Sequence, residues 1–272
     1  MLNNITIGQY YPVDSVVHRL DPRMKLVLTI LFIVEVFLTH SFPGYLLLLA
    51  FLFFACRMAK VPFRLLLKGL RPLRWIILIT FLLNLFFTGG EDVWISFWII
   101  RITREGILQA LFYSLRLVFL VAGTSLLTLT TSPISLSDGI ENLLSPLKRI
   151  HFPAHELAMM MTIALRFIPT LLEETDKIMK AQMARGADFE SGNLIVRAKS
   201  MVPLLVPLFV SAFRRAGDLA MAMESRCYHG GDGRTRLRVL KITKNDWLAL
   251  GILCILLGLI ILEGIFLKGV LF

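Results

Sequence analysis

The sequence predicts an all-α integral membrane protein with about five transmembrane helices and a helical cytoplasmic coupling domain. Three observations carry this. The chain is 56% apolar, above the roughly 45–50% of soluble domains, with a mean hydropathy of +0.73. Its apolar residues gather in long runs separated by turns and basic segments. Two long helical stretches in the middle close alike, in Met183-Ala184-Arg185-Gly186 and in Glu224-Ser225-Arg226-Cys227, with the two arginines 41 residues apart.

Charge narrows the class. The chain holds 29 Lys and Arg against 19 Asp and Glu, a net charge of +10. In a soluble protein this balance would raise nucleic acid as a partner. Here the basic residues stand beside apolar runs, so the lipid bilayer and the positive-inside rule account for them, and no nucleic acid is expected. The three cysteines, Cys56, Cys227 and Cys254, have neither dicysteine nor metal-ligand spacing. The N-terminal stretch has no basic region leading into an apolar segment and cleavage site, so the first apolar run is expected to remain in the mature protein.

Residues 1–25 are mixed and polar and are read as a cytoplasmic arm. Residues 26–130 form a four-span membrane region. A single helix over 26–55 would be about 45 Å long, too long for one crossing, and Pro43-Gly44 lies near its centre. Two short spans joined by a tight turn fit better, with a re-entrant hairpin as the competing reading. The linker 57–74 carries six basic and no acidic residues, whereas the turn at 40–44 has no Lys or Arg. That contrast puts the linker in the cytoplasm, part of it along the membrane surface. Trp75–Thr88 is the third span, Val93–Ile100 an extracellular strand or interfacial segment, and Gly106–Thr130 the fourth span, stopped by Pro133. Residues 131–246 are the coupling domain. Ser137, Asp138 and Glu141 suggest a short helix start. Pro153 opens the first long stretch, which Pro169 is expected to kink or divide, as Pro203 and Pro207 do the second. Residues 247–272 contain the last span. Four crossings before the coupling domain place it on the cytoplasmic side with the N-terminus, and the C-terminus outside.

Little catalytic chemistry is visible. No Gly-x4-Gly-Lys-Ser/Thr loop is present, so the chain is not expected to bind ATP by a P-loop. Gly230-Gly231-Asp232-Gly233 lacks a strand–loop–helix context and reads as a connector. His151 and His155 lie four apart, but Pro153 stands between them and the two-histidine zinc motif is absent, so an ordinary helix start is expected and no metal. Glu35, Arg116 and Glu263 are ionisable groups in spans, which is costly. Either they line a substrate path, or they form a helix–helix ion pair or snorkel; one arginine and two scattered acids do not make a relay.

Eight of the eleven methionines lie between Met159 and Met223. This suits a surface that repacks or slides, and equally an ordinary core. A helix can end in Arg-Gly for reasons of capping alone. Two such ends, each with small flanking residues that let the backbone enter a groove, favour docking, the guanidinium bonding a carboxylate there.

With these features the chain resembles, over nearly its whole length, the transmembrane T component of energy-coupling factor transporters, ABC-type importers of vitamins and transition-metal ions. The resemblance implies that the two ends terminate coupling helices. Ala184, Arg185 and Gly186 would dock one ABC ATPase subunit, and Ser225, Arg226 and Cys227 the other. The second set departs from the family's usual Ala-Arg-Gly. It implies further that ATP is bound by the partners and that no cofactor is held here. A separate substrate-binding S component in the membrane would carry the micronutrient. The alternatives are a conventional ABC permease with its own translocation path and an integral membrane enzyme.

Overall fold

The protein is described by a computed structural model covering residues 10–89, 93–97, 100–146, 152–189, 193–230 and 240–268. The chain divides into two compact units: residues 8–139 with 240–272, and a second within 140–239. The division falls inside one short helix.

In the first unit, α1 (Pro22–Leu38) is capped by Asp21, whose carboxylate accepts the backbone N–H of Arg23, with Pro22 opening the helix. α2 (Phe42–Ala59) begins at Pro43-Gly44 rather than being broken by it, because proline in a first turn forfeits only an N–H that has no partner there. Residues 26–55 therefore form two helices, as the length argument required. α3 (Phe63–Leu70) runs through a 3₁₀ turn at Arg71–Leu73 into α4 (Arg74–Phe87). A small antiparallel ribbon, β1 (Val93–Phe97) and β2 (Ile100–Thr103), leads into α5 (Arg104–Thr130). The unit is completed by α9 (Lys244–Lys268).

The core is a stripe on α2 (Tyr45, Leu48, Leu52, Cys56, Ala59) packed with Phe32 and Val36 of α1, Phe119 and Ala122 of α5, and Leu253, Leu256 and Ile260 of α9. Gly123 lets α5 approach α1: a Cβ there would lie 2.5 Å from the Phe32 ring.

Polar contacts fix the helix directions. At one end, the buried Lys25 ammonium donates to the carbonyls of His18 and Thr130, at 3.0 and 2.8 Å. Asp246, fully buried, accepts the N–H of Asp21 at 2.8 Å and both the N–H and the hydroxyl of Thr243, at 2.6 and 2.7 Å. Arg23 forks onto Asp21 and reaches the Leu240 carbonyl at 3.1 Å. The start of α1, the end of α5 and the start of α9 thus share one end. At the other, Ser41 donates to Glu263 at 2.6 Å. α1 and α9 run parallel, and α2 and α5 run against them.

Among the described residues five helices are long and apolar enough to cross a membrane: α2, the continuous Phe63–Phe87, α5, α7 (Ala154–Ala184) and Lys244–Phe266 of α9. The protein is a multi-pass membrane protein. α1, with 17 residues, is at the short end of what spans a bilayer. α3 carries Arg64 and Lys68 and the 3₁₀ turn Arg71, so the charge-poor part of this stretch is α4, where the sequence places the third span.

α6 (Pro133–Leu144) begins at Pro133, not at Ser137-Asp138: Ser132 caps it, accepting the N–H of Ser135 at 3.2 Å. The proline that stops α5 also opens α6. In the second unit α7 and α8 (Leu194–Glu224) pack together, and each is continuous over 31 residues. Of the kink or division expected at Pro169, Pro203 and Pro207, division does not occur: each helix runs on through its prolines. All three prolines lie on exposed faces, so the carbonyls they leave without a helix partner are not sealed in a core.

Candidate functional site

The six residues singled out at the helix ends are all exposed. α7 closes with Arg185 at φ −90° and Gly186 at φ +88°, in the left-handed region. Gly186 N–H donates to Met183 O at 3.0 Å, and Ala187 N–H to Gln182 O at 3.0 Å. These are the two bonds of a Schellman motif, which satisfy carbonyls that a helix end otherwise leaves open. α8 closes the same way. Cys227, at φ +55°, donates to Glu224 O at 2.9 Å, and Tyr228 N–H to Met223 O at 3.0 Å. Every position corresponds under the offset of 41, so Arg185 and Arg226 occupy the same place, one residue before the left-handed one.

The end of α2 supplies a contrast. Lys60 is left-handed at φ +53°, and Val61 N–H returns to Cys56 O at 3.2 Å. There the residue matching the arginines is Ala59, fully buried. The cap alone is therefore a general device, and what marks α7 and α8 is a guanidinium displayed on it. Among the described residues neither Arg185 nor Arg226 forms an ion pair.

Chain length places the two tips. Glu174 of α7 accepts from Ser211, at 3.0 Å, and from Arg215, both on α8. From this contact each helix runs ten residues, about 15 Å, to Ala184 or Ser225, while Leu194 is about 31 Å back along α8. The 185–193 link reaches at most about 35 Å. It can join Ala184 to Leu194 only if those two arms subtend no more than about a right angle. The two tips then diverge, roughly 20–30 Å apart by the same rise per residue.

The other sequence candidates do not assemble into a site. His155 hydrogen-bonds Glu141 at 2.9 Å, and no metal-holding group of His, Cys, Asp or Glu occurs among the described residues; His151 lies outside them, as do residues 231–233 of the glycine-rich stretch. Arg116 reaches the Thr39 carbonyl at 3.4 Å and lies over Phe37 and Tyr113. Glu35 is fully buried, and neither carboxylate oxygen has a hydrogen-bond partner among the described residues. Among the described residues, then, Glu35, Arg116 and Glu263 form neither a relay nor the ion pair weighed from sequence. Sequence reasoning missed Glu174 and Arg215. The signal was present: the acidic pair 173–174 and the basic pair 214–215 are separated by the same 41 residues as the arginine tips.

A profile of the cobalt transport protein family (CbiQ) matches residues 14–237. The energy-coupling factor transporter transmembrane protein EcfT of Clostridium kluyveri is 58% identical over 250 residues, covering 92% of this chain and 93% of that one. The chain belongs to the EcfT family. Its relatives of the same name in Bacillus subtilis and Lactococcus lactis are 53% and 48% identical, covering 90% and 96% of this chain and 93% and 98% of theirs. In this member of the EcfT family both arginine ends, at Arg185 and Arg226, fall within the residues the family profile matches.

Proposed function

We propose that this chain is the transmembrane coupling subunit of an energy-coupling factor transporter. It links ATP hydrolysis by two ABC ATPase subunits to reorientation of a separate substrate-binding membrane subunit during micronutrient uptake. The observation that carries this reading is the pair of identically capped helix ends, each displaying an exposed arginine that forms no ion pair among the described residues. At the rise per residue of a helix the two stand roughly 20–30 Å apart, too far to serve a single groove. Ala184, Arg185 and Gly186 dock one ATPase, and Ser225, Arg226 and Cys227 the other. The small residues beside each arginine leave the backbone free to enter an acidic cleft, where a guanidinium bonds a carboxylate bidentately.

The orientation follows from charge. The bundle end that gathers Arg19, Arg23, Lys25, Arg57, Lys60, Lys241 and Lys244 faces the cytoplasm, as do the N-terminus and the α7–α8 unit. The C-terminus is then outside. ATP is bound by the partners, and closure of the ATPase pair moves the two tips. The methionine-rich helices pass that movement to the substrate-binding subunit.

Co-purification tests the reading. Arg185→Glu and Arg226→Glu each weaken retention of the ATPase subunits, and the double variant loses them, while the chain still folds in the membrane. An intact complex with wild-type transport in the double variant contradicts it.

A further inference from the structure

We propose that Glu174 and Arg215 form the fulcrum on which the two tips are set, a positioning pair for coupling. This rests on the docking role given to Arg185 and Arg226.

One carboxylate on α7 meets two residues of α8, Ser211 at 3.0 Å and Arg215. Ser211 and Arg215 are four apart, so they share a face of α8 and close on Glu174 from successive turns. The contact therefore fixes both where the helices cross and how each is rotated about its axis. Glu174 precedes Arg185 by eleven residues, and Arg215 precedes Arg226 by eleven. The lever arms are equal and end in the same cap. Equal arms about one point suit two like partners placed around a pseudo-two-fold axis, which is what a pair of ABC ATPases offers.

The pair is not there for stability. The Arg215 side chain is 39% exposed and that of Glu174 26%, and an ion pair so open contributes little to folding. What the pair supplies is direction, since a carboxylate held by two residues on successive turns of α8 admits one register. Around it α8 turns large apolar side chains outward, among them Val206, Phe209, Val210 and Phe213. Apolar contact alone permits sliding, so a single polar point is needed to hold the crossing.

The test uses the full chain in its assembled transporter, with spin-labelled non-canonical amino acids at the exposed positions 180 and 221, so that the native cysteines, Cys227 included, stay in place. With the native pair the inter-label distance distribution is narrow. Glu174→Arg or Arg215→Glu broadens it and lowers substrate transported per ATP hydrolysed several-fold, while the ATPases stay bound through the unaltered tips. The double swap restores both readouts. If the single reversals fail to fold, Glu174→Gln, which keeps the shape and an acceptor for Ser211, is read the same way. Wild-type distances and coupling in the single variants overturn the proposal, as does a folded swap that recovers neither. The docking reading fails separately, through retention of the ATPases by the Arg185→Glu/Arg226→Glu chain, which leaves the distance measurement intact.

Discussion

Gly186 and Cys227 adopt the same left-handed backbone conformation, at φ +88° and +55°, and each ends a 31-residue helix one position after an exposed arginine. Only one of them is a glycine. An L-residue in this region costs roughly 1–2 kcal/mol, and glycine avoids that cost while losing about 0.5–1 kcal/mol in chain entropy. Cys227→Gly is therefore tolerated, with α8 as stable as before and ATPase retention unchanged. Gly186→Val places a β-branched side chain where it is strained, frays the end of α7 and disperses Arg185. Retention of the ATPases in a pull-down, measured beside the melting temperature, separates the two outcomes.

Asp246 is the anchor of the membrane unit. Asp246→Ala leaves the N–H groups of Asp21 and Thr243 without their acceptor. The first of these is buried and the second partly so, and at about 1–3 kcal/mol for each unsatisfied group the expected loss is about 2–6 kcal/mol. Thermal unfolding in detergent, followed by size-exclusion fluorescence, checks it. Asp246→Asn, which keeps an acceptor, loses less.

The Asp21–Arg23 fork predicts acid sensitivity. Burial pushes the Asp21 carboxyl upward, but the Arg23 side chain and backbone bonds and its charge outweigh this and hold it below its ordinary value. A carboxyl with a depressed native pKa adds stability above its unfolded value, about 4, and that contribution is lost as pH falls through the native value. Melting temperature should stay level from neutral pH toward 5 and fall below about 4, and Arg23→Gln should flatten that fall.

Gly123 and Phe32 predict an overpacking effect. A Cβ at Gly123 falls 2.5 Å from the Phe32 ring, so Gly123→Leu forces α1 and α5 apart at about 1–3 kcal/mol. Phe32→Leu in the same chain makes room and recovers part of the loss. Melting curves of the two single variants and the double variant give the coupling between the sites.

The membrane helices were legible because apolar runs and their breaks are local features. Pro43-Gly44 and the basic 57–74 stretch bounded them without knowledge of the fold. Element starts were less so. Ser132-Pro133 is at once the stop of α5 and the cap of α6, and a proline read only as a stop hides the helix it opens. Pro169, Pro203 and Pro207 were readable as kinks or divisions, and which of the two a proline makes depends on where the freed carbonyl points. The arginine ends were readable as a repeated pattern. Their shared cap geometry was not, because nothing in Ser-Arg-Cys announces that a cysteine takes the glycine position. The Glu174–Arg215 contact and the Asp246 network join residues 41 and 225 apart in the chain, and such pairings come only from the packed structure.

The measurement that bears most directly on the account is photo-crosslinking in intact cells, with a crosslinking amino acid at position 185 in one strain and at 226 in another. The account predicts that each position captures an ABC ATPase subunit from the cytoplasmic side. It predicts also that a membrane-impermeant thiol reagent outside the cell fails to label a cysteine at either place. Capture of no ATPase from both positions, or labelling from outside, would contradict it.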